Sequence, residues 1–151
     1  MPGNFSKQIM VPWVPIWVIA WLVLNGLIWS VPFISAEWAG WVRLFLSPVC
    51  HQLPEASCQL NEVFLPVCCR CTAMYLGFLT GTAVVWFAAN LPLLSPAWMT
   101  GAGILMGLDV GLNVLQIKSP DLLLRIVTGS LFGLLTGMVI IQRLKREVRY
   151  V

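Results

Sequence analysis

Residues 50–71 hold every group in this chain that is suited to metal or thiol chemistry. Cys50-His51 opens the segment, Cys58 sits within it, and Cys68-Cys69-Arg70-Cys71 closes it. All five cysteines and the single histidine are here. Thiolates and a neutral imidazole are the ligands zinc prefers. Cys68-x-x-Cys71 has half-site spacing, because two intervening residues let both sulfurs curl onto one ion. Arg70 between them would partly offset the thiolate charge. Cys71 is expected at the start of a helix, where the dipole favours a thiolate.

The other half-site is less regular. Cys50 and His51 are adjacent, and adjacent side chains of an extended segment point to opposite sides. Both reach one ion only if the chain turns sharply between them. Otherwise Cys58 or a water completes the coordination. Three protein ligands with an open position would make the site catalytic in kind. A second chemistry competes: cysteines on an oxidising face form disulfides, structural or exchangeable. Five cysteines leave one over, and because a vicinal pair does not readily close on itself, Cys69 is a candidate for the spare.

The elements that must position this segment are read from hydropathy. Of 151 residues 59% are hydrophobic and 10% charged, with a mean hydropathy of +0.86, whereas soluble domains carry about 25% charged residues. The chain is expected to be one all-α integral-membrane domain of four transmembrane helices. The spans run over about 14–34, 72–91, 97–116 and 122–141, each near the roughly 20 residues that crossing requires. The Cys/His loop 50–71 then lies between the first two spans. Pro92 and Pro96 punctuate one turn, and Ser119-Pro120-Asp121 another, with Asp121 placed to cap the last helix. A cleaved signal peptide fits poorly, since the first apolar run exceeds the roughly 7–15 residues of a signal core.

Arg143, Lys145, Arg146 and Arg149 crowd the C-terminus, which assigns it to the cytoplasm. Four spans return the N-terminus to that side and put the Cys/His loop on the outer face. The net charge of +3 reflects this cluster. It reads as a topology signal with contact to anionic lipid and not as a nucleic-acid footprint.

Trp13, Trp17 and Trp21 share one face of the first helix, as an interfacial anchor or as a surface for a pigment, quinone or partner helix. Residues 37–49 read as an interfacial segment. The third span carries Asp109, Asn113 and Gln116 on one face and Gly103, Gly107 and Gly111 roughly opposite. The fourth repeats the glycines at Gly129, Gly133 and Gly137, so these two helices are expected to pack on each other. An intramembrane carboxylate needs a partner, and Arg125 is the expected partner of Asp109. A catalytic or relay role for Asp109 is the alternative.

The pattern Cys50-His51-x-x-Pro54-Glu55-x-Ser57, followed by Pro66-Val67-Cys68-x-Arg70-Cys71-Thr72-x-x-Tyr75-x-Gly77, resembles a family of small prokaryotic integral-membrane proteins of unknown function. The likeness continues through Asp109, Gln116, Leu124-Arg125 and Thr128-Gly129, and covers about residues 45–135. It implies a prokaryotic inner-membrane location and a shared site. It also favours Cys50, His51, Cys68 and Cys71 as the working set, with Cys58 and Cys69 as bystanders. Ala56 and Ser119-Pro120-Asp121 depart from the family pattern.

Three functions follow. The first is a zinc site on Cys50, His51, Cys68 and Cys71, supported by Arg70, Asn113, Gln116 and Arg125, with Asp109 or Glu55 as base in surface hydrolysis. The second is a thiol–disulfide oxidoreductase with no metal and a quinone pocket near the first-helix tryptophans. The third is an accessory subunit of a larger membrane complex. Transport would need a homo-oligomer, because one intramembrane carboxylate does not line a pathway.

Overall fold

A computed structural model describes residues 13–88, 91–115 and 121–150, with side chains over 16–88, 91–115 and 121–145. Helix α1 spans Trp13–Ser30 and runs into a 3-10 turn at Val31–Phe33. A shorter α2, Ala36–Leu46, follows. After a 3-10 turn at Pro54–Ala56 come strands β1, Ser57–Leu60, and β2, Val63–Cys68. Helices α3, Cys69–Phe87, α4, Pro96–Val114, and α5, Leu122–Tyr150, complete the chain.

Local chemistry explains the helix starts. Ser95 Oγ accepts from Ala97 N–H at 3.3 Å, with Pro96 in the first turn of α4, where a missing N–H costs nothing. Asp121 Oδ1 accepts from Leu123 N–H at 3.0 Å and caps α5, as its position in the sequence suggested.

The long helices alternate in direction. Trp17 and Leu144 line one cavity at the far end, Trp21 stacks on Phe78 at 4.4 Å, and Trp29 flanks the start of α3. Pro92 and Leu94 hydrogen-bond Gln142, while Gly103 packs on Phe132. Thus α1 and α4 run one way, and α3 and α5 the other. One end of the bundle carries the cysteines. The other carries the last turns of α5, where Lys145 Nζ donates to Val85 O at 2.8 Å and covers the Trp86 ring.

The glycines act between different helices from those expected. Gly129, Gly133 and Gly137 of α5 lie against the backbones of Arg70, Met74 and Phe78 of α3. Gly77 and Gly81 of α3 return the contact on Ser130 and Leu134. The two helices are parallel, in register every four residues, and meet backbone to backbone. Gly107 and Gly111 face open space. Of the α4 stripe, Gly103 alone meets α5, on the Phe132 ring, so α4 packs on α5 as expected but without a glycine-to-glycine seam. The turn between α4 and α5 makes them sequence neighbours, but the small-residue complement of α5 is on α3.

The segment read as a loop is partly ordered. β1 and β2 pair antiparallel as Leu60 with Val63, Gln59 with Phe64 and Ser57 with Cys68, with a bulge between Ser57 and Gln59. Asn61 and Glu62 close the hairpin with φ of 50° and 64°, the left-handed pair that a two-residue turn requires. The all-α expectation is corrected by this small sheet. The segment expected to be interfacial forms α2, which exposes Trp38, Trp41 and Phe45 and buries Leu46.

Among the described residues, two segments are long and apolar enough to cross a membrane, Ile16–Phe33 and Leu122–Lys145. Phe33, Phe45 and Leu123 are each about 70% exposed. A surface this rich in large apolar side chains belongs in lipid.

Candidate metal centre

The cysteine end has its own small core. Ile28 of α1, Leu46 of α2, Ala56, Val67 of β2 and Tyr75 of α3 pack around Cys50 and Cys68. The hairpin is tied to α2 by Arg43, which donates to Phe64 O at 2.7 Å, while Gln52 donates to Arg43 O at 2.7 Å. These bonds fix the chain on both sides of Cys50 and bring it to the β2–α3 junction.

Cys50, Cys68 and Cys71 converge there, with their sulfurs all within 4.8 Å of one another. Cys50 arrives from the loop, Cys68 ends β2, and Cys71 sits in the first turn of α3. Cys68 N–H donates to Cys50 Sγ at 3.2 Å. All three are free thiols, the first two buried and Cys71 partly so. Hydrogen bonds from the Cys68 and Cys71 thiols and from backbone N–H groups hold Cys50 as thiolate, well below the ordinary thiol range, against the opposing effect of burial. Donating to Cys50 keeps Cys68 protonated and raises its pKa, with burial acting in the same sense.

His51 lies exposed and outside this group. Its neighbour Cys50 is buried, so the two side chains part as adjacent residues of an extended segment do. Gln52, at φ 52°, makes the turn one residue later. Glu55 is exposed in the 3-10 turn.

Cys58 and Cys69, the expected bystanders, are bonded to each other. The disulfide joins β1 to the first residue of α3, with the chain ends it links already adjacent through the hairpin. Metal and disulfide, set out as competing readings, thus fall on different cysteines. The bulge in β1 puts Cys58 opposite no residue of β2 in the pairing register, and no signal in the sequence marks it.

Asp109 is buried, but its partner is not Arg125. Arg70 Nη2 forms the ion pair with Asp109 Oδ2. Asn113 Nδ2 donates to both Asp109 O and Asp109 Oδ1. The correction follows from the glycine packing. Gly129 leaves room for the Arg70 side chain, whose Cγ lies against it, so Arg70 crosses α5 to reach α4. Gln116 falls outside the described residues.

Trp17 and Trp21 border a cavity of about 500 Å³ between α1, α3 and α5, together with Phe78, Thr82, Phe132 and Thr136. Trp21 also packs on Tyr75, with ring centroids 5.6 Å apart. The Trp13 side chain is outside the described residues.

Residues 50–139, more than half of the chain, match the family described as a predicted membrane protein, DUF2085, and the chain belongs to that family. No curated protein and no solved structure matches it.

Proposed function

We propose that this DUF2085 member is a four-span membrane protein that holds a soft metal ion, zinc foremost, on Cys50, Cys68 and Cys71. The observation that carries the reading is the convergence of three free sulfurs from three separate segments. A tetrahedral zinc with Zn–S bonds of about 2.3 Å needs sulfurs roughly 3.8 Å apart. Sulfurs within 4.8 Å of one another reach that by small side-chain rotations. An all-sulfur donor set favours zinc or Cu(I) over hard ions. A thiolate already formed at Cys50 supplies the first ligand, and the metal displaces the protons of the other two.

Three protein ligands leave a fourth position for water or substrate, which is the catalytic kind of zinc site. Asp109 is committed to Arg70 and Asn113, so we assign it to positioning Arg70 and not to proton transfer. Glu55, exposed four residues beyond His51, is the carboxylate to test as base in hydrolysis. Helices α3 and α4, of 19 residues each, extend about 28 Å at 1.5 Å per residue. Their alternation with α1 and α5 suits four crossings of a hydrocarbon core of about 30 Å. The basic C-terminal cluster supports a cytoplasmic far end and an outer cysteine end.

Cobalt substitution tests the centre. Cobalt-loaded protein should show sulfur-to-metal charge-transfer absorption that Cys71→Ser abolishes and His51→Ala leaves in place. Equal spectra for wild type and Cys71→Ser would overturn the assignment.

A second reading rests on the Cys58–Cys69 disulfide beside free Cys68. A thiolate of an incoming dithiol would attack one disulfide sulfur, release the other as thiolate, and leave by closing its own disulfide. Exchange with a substrate dithiol that survives Cys71→Ser but not Cys58→Ser would favour this reading.

A further inference from the structure

The parallel packing of α3 and α5 brings the N-termini of both helices to the cysteine end, and with them two arginines. Arg70 lies across Gly129. Arg125 is one turn nearer the same end of α5, on the face that carries Gly129, because residues four apart share a helix face. Long helical side chains lean toward the helix N-terminus, so both guanidinium groups are directed to the same end of the bundle.

Arg125 has no carboxylate partner among the described residues. Asp109 is the one carboxylate that pairs with either arginine among the described residues. Asp121, a turn before Arg125, is exposed and caps Leu123 N–H, with no ion pair to Arg125. Two helix N-termini add further positive potential. The hydrogen bonding is incomplete as well. Arg70 Nε and Arg125 Nε are buried donors without partners, and Asn113 Oδ1 is a buried acceptor without one. Buried donors without acceptors are costly.

We propose that Arg70 and Arg125 bind a phosphate oxyanion that also carries a hydroxyl. The anionic oxygens accept from the guanidinium groups, for which planar forked donors are well matched. The ligand hydroxyl donates to Asn113 Oδ1. A phosphoglycerol lipid headgroup and free hydrogen phosphate share this chemistry. None of its three residues is among the metal ligands proposed above.

The test uses the full chain in detergent. Lipid binding is read by native mass spectrometry with phosphatidylglycerol or phosphatidylcholine, and inorganic phosphate is titrated as competitor. Wild type should hold phosphatidylglycerol about tenfold more tightly than Arg125→Gln, the loss expected for one charge-assisted contact. Arg125→Lys should fall between the two, and it keeps the charge if Arg125→Gln fails to fold. Phosphatidylglycerol binding that millimolar phosphate does not displace identifies the lipid headgroup. Displacement by phosphate, with a melting shift lost in Arg125→Gln, identifies the free anion. Equal phosphatidylglycerol and phosphate binding by wild type and both variants overturns the proposal. So does loss of bound metal in Arg125→Gln with no change in phosphate binding, which would assign Arg125 to the charge of the metal–thiolate centre.

Discussion

The two ends of the α3–α5 pair are held together in different ways. Along the shaft, Gly77, Gly81, Gly129, Gly133 and Gly137 let two backbones touch. No polar side chain is needed there, and the contact is dispersion and shape. At the cysteine end the same two helices are joined through other elements. α3 is bonded to β1 by Cys58–Cys69, to α4 by Arg70–Asp109, and meets the loop at Cys50. Steric fit tolerates little added volume. Polar linkage tolerates little removed charge. The chemistry sits at the end whose interactions can be exchanged, while the shaft holds that end in place.

The contrast is broken most severely at Asp109. Asp109→Ala leaves Arg70 buried without its carboxylate, and about 3–5 kcal/mol of stability should be lost. Thermal unfolding in detergent measures it, and a change under 1 kcal/mol would mean Arg70 finds another partner. The double variant Cys58→Ser/Cys69→Ser opens a crosslink of sequence separation 11, at a cost of roughly 3 kcal/mol from the unfolded chain's regained entropy. Metal binding should persist, because the three sulfur ligands are untouched. In the shaft, Gly133→Ala puts a methyl against the Met74 backbone and should cost about 1–3 kcal/mol. Gly107→Ala, which meets nothing, should be neutral, or slightly favourable from helix propensity. Equal effects at the two glycines would remove the distinction between packing and lipid-facing glycines.

The smallest effect concerns protons. Hydrogen bonding pushes Cys50 down toward the thiolate and Cys68 up, while an ordinary thiol is protonated at neutrality. Binding one divalent ion should therefore release about two protons. Apparent affinity should fall as pH falls, by about two log units per pH unit near neutrality. Titration calorimetry in buffers of different ionisation enthalpy counts the protons, and a count of zero would place the metal on groups other than these thiols.

Much of this was legible in the sequence, and the misses have physical causes. The 14–34 segment is α1 with its 3-10 extension, because an unbroken apolar run fixes a helix by composition alone. Half-site spacing marks Cys68-x-x-Cys71, whereas the choice of Cys50 beside it rests on the family resemblance, which also included His51. The hairpin was not legible, since its turn uses Asn61-Glu62, without the glycine that usually marks a left-handed pair. The partner of Asp109 was misread because sequence proximity favours Arg125. Parallel packing of α3 on α5 decides the matter instead, and no local pattern records which glycine faces meet. Cys58–Cys69 was missed because pairing depends on a β-bulge.

The central claim is that the five cysteines divide into a three-sulfur metal site and one disulfide. Elemental analysis of detergent-purified protein, with a thiol count on the same sample, tests it most directly. The account predicts about one zinc or copper per chain, three thiols reactive after chelation, and two more only after reductant. No metal, with a single reactive thiol before reduction, would mean that the three sulfurs include a second disulfide, and would contradict it.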